Sequence, residues 1–100
     1  MPRHLWTFTV LIIFLLPCAL IAQRKSSIRT IVIDAGHGGH DPGALGRMSK
    51  EKNINLAIPL KLGNMIQRNL KDVRVVYTRD RDYFVELYRR AEIANESKAN

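Results

Sequence analysis

The chain has 100 residues, of which 46% are hydrophobic and 25% charged, with a formal charge of +7 at pH 7. Such a composition excludes a disordered chain and leaves room for one globular domain at most. The single cysteine, Cys18, excludes an internal disulfide framework and any multi-thiolate zinc site.

The first segment reads as a leader. Arg3 and His4 form a short, positively inclined start, and residues 5–23 carry no charged side chain. Their apolar core, residues 10–16, is closed by Pro17 and is shorter than the roughly 20 apolar residues that span a bilayer. Residues 1–22 are therefore expected to be a signal peptide cut after Ala22, although Leu20 stands where a small residue is preferred. Pro17 directly before Cys18 makes a poor lipoprotein motif, whereas the extension through Ala22 keeps an uncleaved anchor open as the only route to a membrane. The expected destination is the periplasm or the extracellular cell wall. Only Arg3 of the charged residues precedes position 24, so the positive excess stays with the exported part. That excess suits an anionic partner, whether nucleic acid, a membrane surface or acidic wall polymers, or confers solubility alone.

After a polar linker, residues 23–29, the pattern turns α/β. Residues 30–33 (TIVI) are a β-branched run typical of a buried strand, and it ends at Asp34. Residues 35–43 form a loop holding four of the six glycines. A helix opening at Glu51 follows, with Ile54, Ile58, Leu62, Met65, Ile66 and Leu70 spaced for one packing face. Pro59 lies inside it and should kink a continuous helix, at about 3 kcal/mol, or else the helix begins near Ile58. Residues 73–78 return to strand composition, and residues 85–98 fit a second helix burying Leu87, Ala91 and Ala94. Strand, helix, strand, helix implies a parallel or mixed sheet with helices packed on it.

Ligands of such sheets sit at the carboxyl ends of the strands, where the glycine-rich loop lies. Within the loop His37 is flanked by glycines, and a neutral imidazole is a good zinc ligand. Asp34 could accept the second ring N–H of such a histidine and fix its tautomer. A lone loop histidine is more often only a polar surface residue. Glu51, fourteen residues on, could fold back beside His37, yet a glutamate in a first helical turn is also favoured by the helix dipole. Spacing alone does not decide between a metal site and a charged surface. A nucleotide-binding domain would also carry a glycine-rich loop here, but the third glycine and any Gly-Lys-Ser/Thr are missing and Pro42 interrupts a helix.

The run from Val32 to Gly46 (VIDAGHGGHDPGALG), followed by Glu51 and Lys52, resembles the opening motif of the Amidase_3 type of cell-wall amidases. Downstream, Thr78-Arg79 with Asp82, then Leu87, Arg90, Ala94 and Asn95, match that family's further signatures in order. The resemblance covers residues 30–100 and marks them as the N-terminal part of a catalytic domain. It implies a mixed β-sheet sandwiched between helices and a Zn2+ ion, for which His37 and Glu51 match two of three ligands. Asp34, Arg79 and Arg90 match supporting positions. It also implies hydrolysis of the amide joining N-acetylmuramic acid to L-alanine in peptidoglycan, in wall remodelling and daughter-cell separation. Peptidoglycan is then the expected partner, without nucleic acid, and a regulatory activator protein stays open. The family's second histidine ligand and its catalytic glutamate are expected beyond Asn100, so the 100 residues alone are expected to be inactive. His40 stands three residues from His37 at a position the family does not use. A peptidoglycan-binding module without catalysis, or an anchored structural protein, would be the rival readings.

Overall fold

The computed structural model describes residues 27–100, so the expected signal peptide and most of the linker lie outside the described residues. Four elements follow in the expected order: β1 (Thr30–Ile33), α1 (Glu51–Asn69), β2 (Arg74–Tyr77) and α2 (Leu87–Glu96). β1 and β2 pair in parallel, with Thr30 opposite Arg74 and Ile33 opposite Tyr77. β1 is wholly β-branched and β2 (RVVY) combines two valines with a tyrosine, both strand-favouring, and a parallel pair needs the helical crossover that α1 supplies. Past the strand ends the pairing passes to side chains. The Thr78 N–H donates to the Ile33 carbonyl at 3.1 Å. Its hydroxyl donates to Asp34 Oδ1 at 2.8 Å and accepts the Ala35 N–H at 3.0 Å. These bonds fix where the glycine-rich loop leaves the sheet.

α1 begins at Glu51 and runs through Pro59 as one element, so the later start near Ile58 does not occur. No side chain caps it. Its free first-turn donors are met instead by the loop, Glu51 N–H to the Ala44 carbonyl at 2.9 Å and Lys52 N–H to the Pro42 carbonyl at 3.0 Å. Among the described residues the part of α1 that is buried is not the expected apolar stripe. Pro59 and Gly63 are the helix's buried residues, whereas Ile58 and Met65 are 60% and 62% exposed. The absent side chain at Gly63 admits the ring of Tyr77, and Ile54, Ile58 and Leu62 lie on the part of α1 that is exposed among the described residues.

α2 also corrects the expectation. It starts at Leu87, not Val85, because Glu86 has the extended ψ of a cap (φ −58°, ψ 147°). Val85 is buried ahead of the helix, and Leu87 is 82% exposed. At the other end Lys98 adopts a positive φ of 52°, which ends the helix before it. Arg90 near the start of α2 reaches the end of β1, while Ser97 and Asn100 bond Arg74 and Thr30 at the strand starts. α2 therefore runs antiparallel to the strands. No helix among the described residues is long and apolar enough to cross a membrane.

Candidate metal centre

The loop after β1 is folded by its backbone. His37, Gly38, Gly39 and Gly43 all have positive φ, at 60°, 122°, 56° and 65°. Gly38 and Asp41 exchange two backbone hydrogen bonds of 2.9 and 3.0 Å, which closes a tight turn directly after His37. The Asp41 carboxylate then accepts the Gly43 N–H at 3.1 Å, an Asx turn leading into Pro42-Gly43.

This fold brings His37 and Glu51 together, as the sequence suggested. Nε2 of His37 lies 3.3 Å from Oε1 of Glu51, and the two side chains are 33% and 40% exposed. Each group is steadied through its other polar atom. Nδ1 of His37 faces Oδ2 of Asp41 at 2.8 Å, and Oε2 of Glu51 accepts the Ala44 N–H at 2.7 Å. A hydrogen on Nδ1, donated to Asp41, would leave Nε2 as the ring atom available to a metal ion beside Glu51.

The orienting carboxylate is Asp41, not Asp34. Oδ1 of Asp34 is taken by Thr78 and by Arg90 Nη1, at 2.8 and 2.7 Å, so it serves the strand ends. Asp41 stands four residues after His37, and the positive-φ run between them brings the side chains together.

The charges are coupled. The hydrogen bond to Asp41 raises the His37 pKa, helped by the nearby Asp41 and Glu51 charges and opposed by desolvation. The same bond, with the Gly43 N–H, lowers Asp41. The Ala44 N–H foremost, and then His37, lower Glu51.

Arg90 and Arg79 hold the loop from below. Arg90 donates to the carbonyls of Val85, Ala35 and His37, at 3.0, 2.7 and 3.0 Å. Arg79, only 1% exposed, bonds the carbonyls of Ala35 and Gly36 on the loop and of Lys52 on α1. Lys52 Nζ and the Gly39 N–H both reach Asp82, at 2.8 Å each, a tie that sequence reading missed. A basic residue next to Glu51 and an acidic one after β2 were its only signals. His40 takes no part in the pair; its ring lies on Phe84, with centroids 4.3 Å apart. Among the described residues no group of three or more His, Cys, Asp or Glu could hold a metal ion. Beside His37 a cleft of about 470 Å³ opens, lined by Asp41, Phe84, Val85, Leu87 and Arg90.

Residues 31–100 match the family described as N-acetylmuramoyl-L-alanine amidase, Amidase_3. The chain belongs to this amidase family. Among its relatives, N-acetylmuramoyl-L-alanine amidase AmiA of Escherichia coli is 41% identical over 80 residues, which are 79% of this chain and 27% of the relative. The solved catalytic domain of the amidase CwlV from Paenibacillus polymyxa is 45% identical, with a TM-score of 0.69, over 73% of this chain and 41% of that one. An amidase from Clostridium difficile 630 is 42% identical, with a TM-score of 0.67, over 74% and 40% of the two chains. The α/β fold is thus that of Amidase_3 catalytic domains, of which this chain spans about two fifths. All of the loop, the start of α1, Arg79 and Arg90 fall within the span that matches the amidase family.

Proposed function

We propose that the protein carrying this chain is an exported, zinc-dependent amidase that cuts the bond between N-acetylmuramic acid and L-alanine in peptidoglycan. Family membership supports the reaction class, and the approach of His37 Nε2 to Glu51 Oε1 at the carboxyl end of β1 carries the metal assignment. The donor set fits zinc: one imidazole nitrogen and one carboxylate oxygen, each with its second atom already hydrogen-bonded. Zinc held by these residues would supply Lewis acidity, polarising an amide carbonyl and activating water near neutral pH. In this reading His37 and Glu51 are ligands. Asp41 keeps the His37 tautomer, and the neighbouring cleft receives the substrate against Phe84 and Val85. Catalytic zinc sites use three protein ligands plus an open position, and proton transfer to the leaving amine needs a carboxylate. The third ligand and that carboxylate are assigned to the rest of the complete protein, so the 100 residues alone should release nothing from peptidoglycan.

Metal analysis of the purified complete protein tests the ligands. His37→Ala and Glu51→Ala should each lose zinc, and wild-type stoichiometry in both would refute the assignment. Digestion of purified peptidoglycan tests the reaction, the expected product being peptides with a free L-alanine amino group. Export rests on the uncharged run of residues 5–23 after Arg3. N-terminal sequencing should find a start near Gln23, and an intact Met1 on cytoplasmic protein would overturn it.

A further inference from the structure

Arg79 is the largest fully buried side chain among the described residues, and no carboxylate there pairs with it. A guanidinium removed from water is costly unless its donors are met. Here backbone carbonyls alone meet them: Nε bonds Ala35 at 2.9 Å, Nη1 bonds Arg81 at 3.0 Å, and Nη2 bonds Gly36 at 2.8 Å and Lys52 at 2.9 Å. The positions of these acceptors matter. Ala35 and Gly36 immediately precede His37, and Lys52 immediately follows Glu51. One rigid planar group therefore joins the backbone on the near side of one candidate ligand to the backbone on the near side of the other. The covalent path between the two ligands is the long loop containing Gly38, Gly39 and Gly43, so this bridge is a second and much shorter link between them.

We propose that Arg79 is a positioning residue of the metal centre, which sets the separation of His37 Nε2 and Glu51 Oε1 by clamping the loop to the first turn of α1. The inference rests on the zinc reading of that pair. A lysine cannot replace it, because three donors on one flexible ammonium do not reproduce the planar fork that reaches both segments. Gly38 packs against the same group: a Cβ there would run first into the Tyr83 carbonyl oxygen and would also lie 2.7 Å from Arg79 Nε, so the loop passes over both only without a side chain.

The test uses the complete protein with Arg79→Lys and Arg79→Gln. Zinc affinity is read by competition with a chromophoric chelator, and site geometry from the visible spectrum of the Co2+-substituted protein. Both variants should bind zinc about 10–100-fold more weakly, the range found for outer-shell partners. The Co2+ spectrum should change while circular dichroism shows a retained fold. Val75→Ala, a β2 substitution that lowers stability without touching the clamp, should bind zinc as wild type does and so separates positioning from general destabilisation. Wild-type affinity and an unchanged Co2+ spectrum in both Arg79 variants would overturn the proposal. So would failure of both to fold with zinc in excess, since the guanidinium would then serve the fold as a whole. His37→Ala and Glu51→Ala report on the zinc reading separately: zinc retained in both defeats that reading, whereas zinc lost in both but kept by the Arg79 variants defeats only the positioning role.

Discussion

Gly43 lies between the two candidate ligands, and replacing it with alanine should open them. Its φ of 65° is a conformation that costs an L-residue roughly 1–2 kcal/mol. The steric effect is more specific. A Cβ at Gly43 would lie 2.6 Å from Glu51 Oε2, 2.8 Å from His37 Cδ2 and 2.9 Å from Glu51 Cβ, all inside normal contact distance. The easiest relief is to swing the Glu51 carboxylate away, which breaks its bond to the Ala44 N–H and carries Oε1 off His37 Nε2. Gly43→Ala should therefore lower stability by about 1 kcal/mol without metal, by the cost of the left-handed backbone. It should weaken zinc binding by about 10–100-fold, as loss of ligand orientation does elsewhere. Gly46→Ala is the comparison, because Gly46 has no positive φ and its nearest neighbour would be the Ser49 carbonyl oxygen at 3.0 Å. Urea denaturation reads the first quantity and chelator competition the second. Wild-type zinc affinity in Gly43→Ala would show that His37 and Glu51 do not bind as a pair.

Asp41→Ala should also weaken zinc binding by about 10–100-fold, since nothing would then hold the His37 tautomer; affinity unchanged in a chelator competition would return the orienting role to another group. Gly63→Ala should be destabilising in urea denaturation. The new Cβ would run into the Tyr77 hydroxyl oxygen and lie 2.5 Å from its Cζ, and overpacking of about 1–3 kcal/mol outweighs a helix-propensity gain of up to about 1 kcal/mol. A variant as stable as wild type would mean that Tyr77 swings aside freely. The Asp82 carboxyl is held below its usual value by Lys52 and the Gly39 N–H. Its contribution to stability is therefore present above the unfolded pKa of about 4 and is lost as pH falls through the lower folded value. The stability gap between wild type and Asp82→Asn should be full near neutral pH and shrink below about pH 4, and a gap independent of pH would contradict the tie.

The parts of the fold legible in the sequence were those fixed locally. The run TIVI gave β1 to the residue because four β-branched residues in a row suit little else, and the glycines after Asp34 marked the turn. The face of α1 was not legible. Periodicity shows that Ile54, Ile58 and Leu62 share a side, but it does not show that Gly63, whose missing side chain admits the Tyr77 ring, is where β2 comes close. The choice between Asp34 and Asp41 failed for a related reason. Counting residues treats the loop as extended, whereas three successive residues of positive φ from His37 to Gly39 fold Asp41 back beside the ring. Arg79 and Arg90 were legible as matching positions only. Most of their partners are backbone carbonyls, and those on the loop, Ala35, Gly36 and His37, lie more than forty residues earlier in the chain, which no side-chain pattern encodes.

The strain at His37 ties these observations together. A non-glycine residue at φ 60° costs roughly 1–2 kcal/mol and persists only where its surroundings over-determine it. The surroundings do so from three sides: Arg90 holds the His37 carbonyl, Asp41 holds the ring nitrogen, and the Gly38–Asp41 bonds close the turn beyond it. A glycine at position 37 would relieve the backbone but remove the imidazole. A histidine in relaxed backbone would keep the imidazole but aim it elsewhere. The strained conformation is thus what directs Nε2 at Glu51, and it is reached with protein bonds alone. A pair ordered in this way would lose little conformational freedom on taking up a metal ion, which is what the proposed zinc reading asks of it.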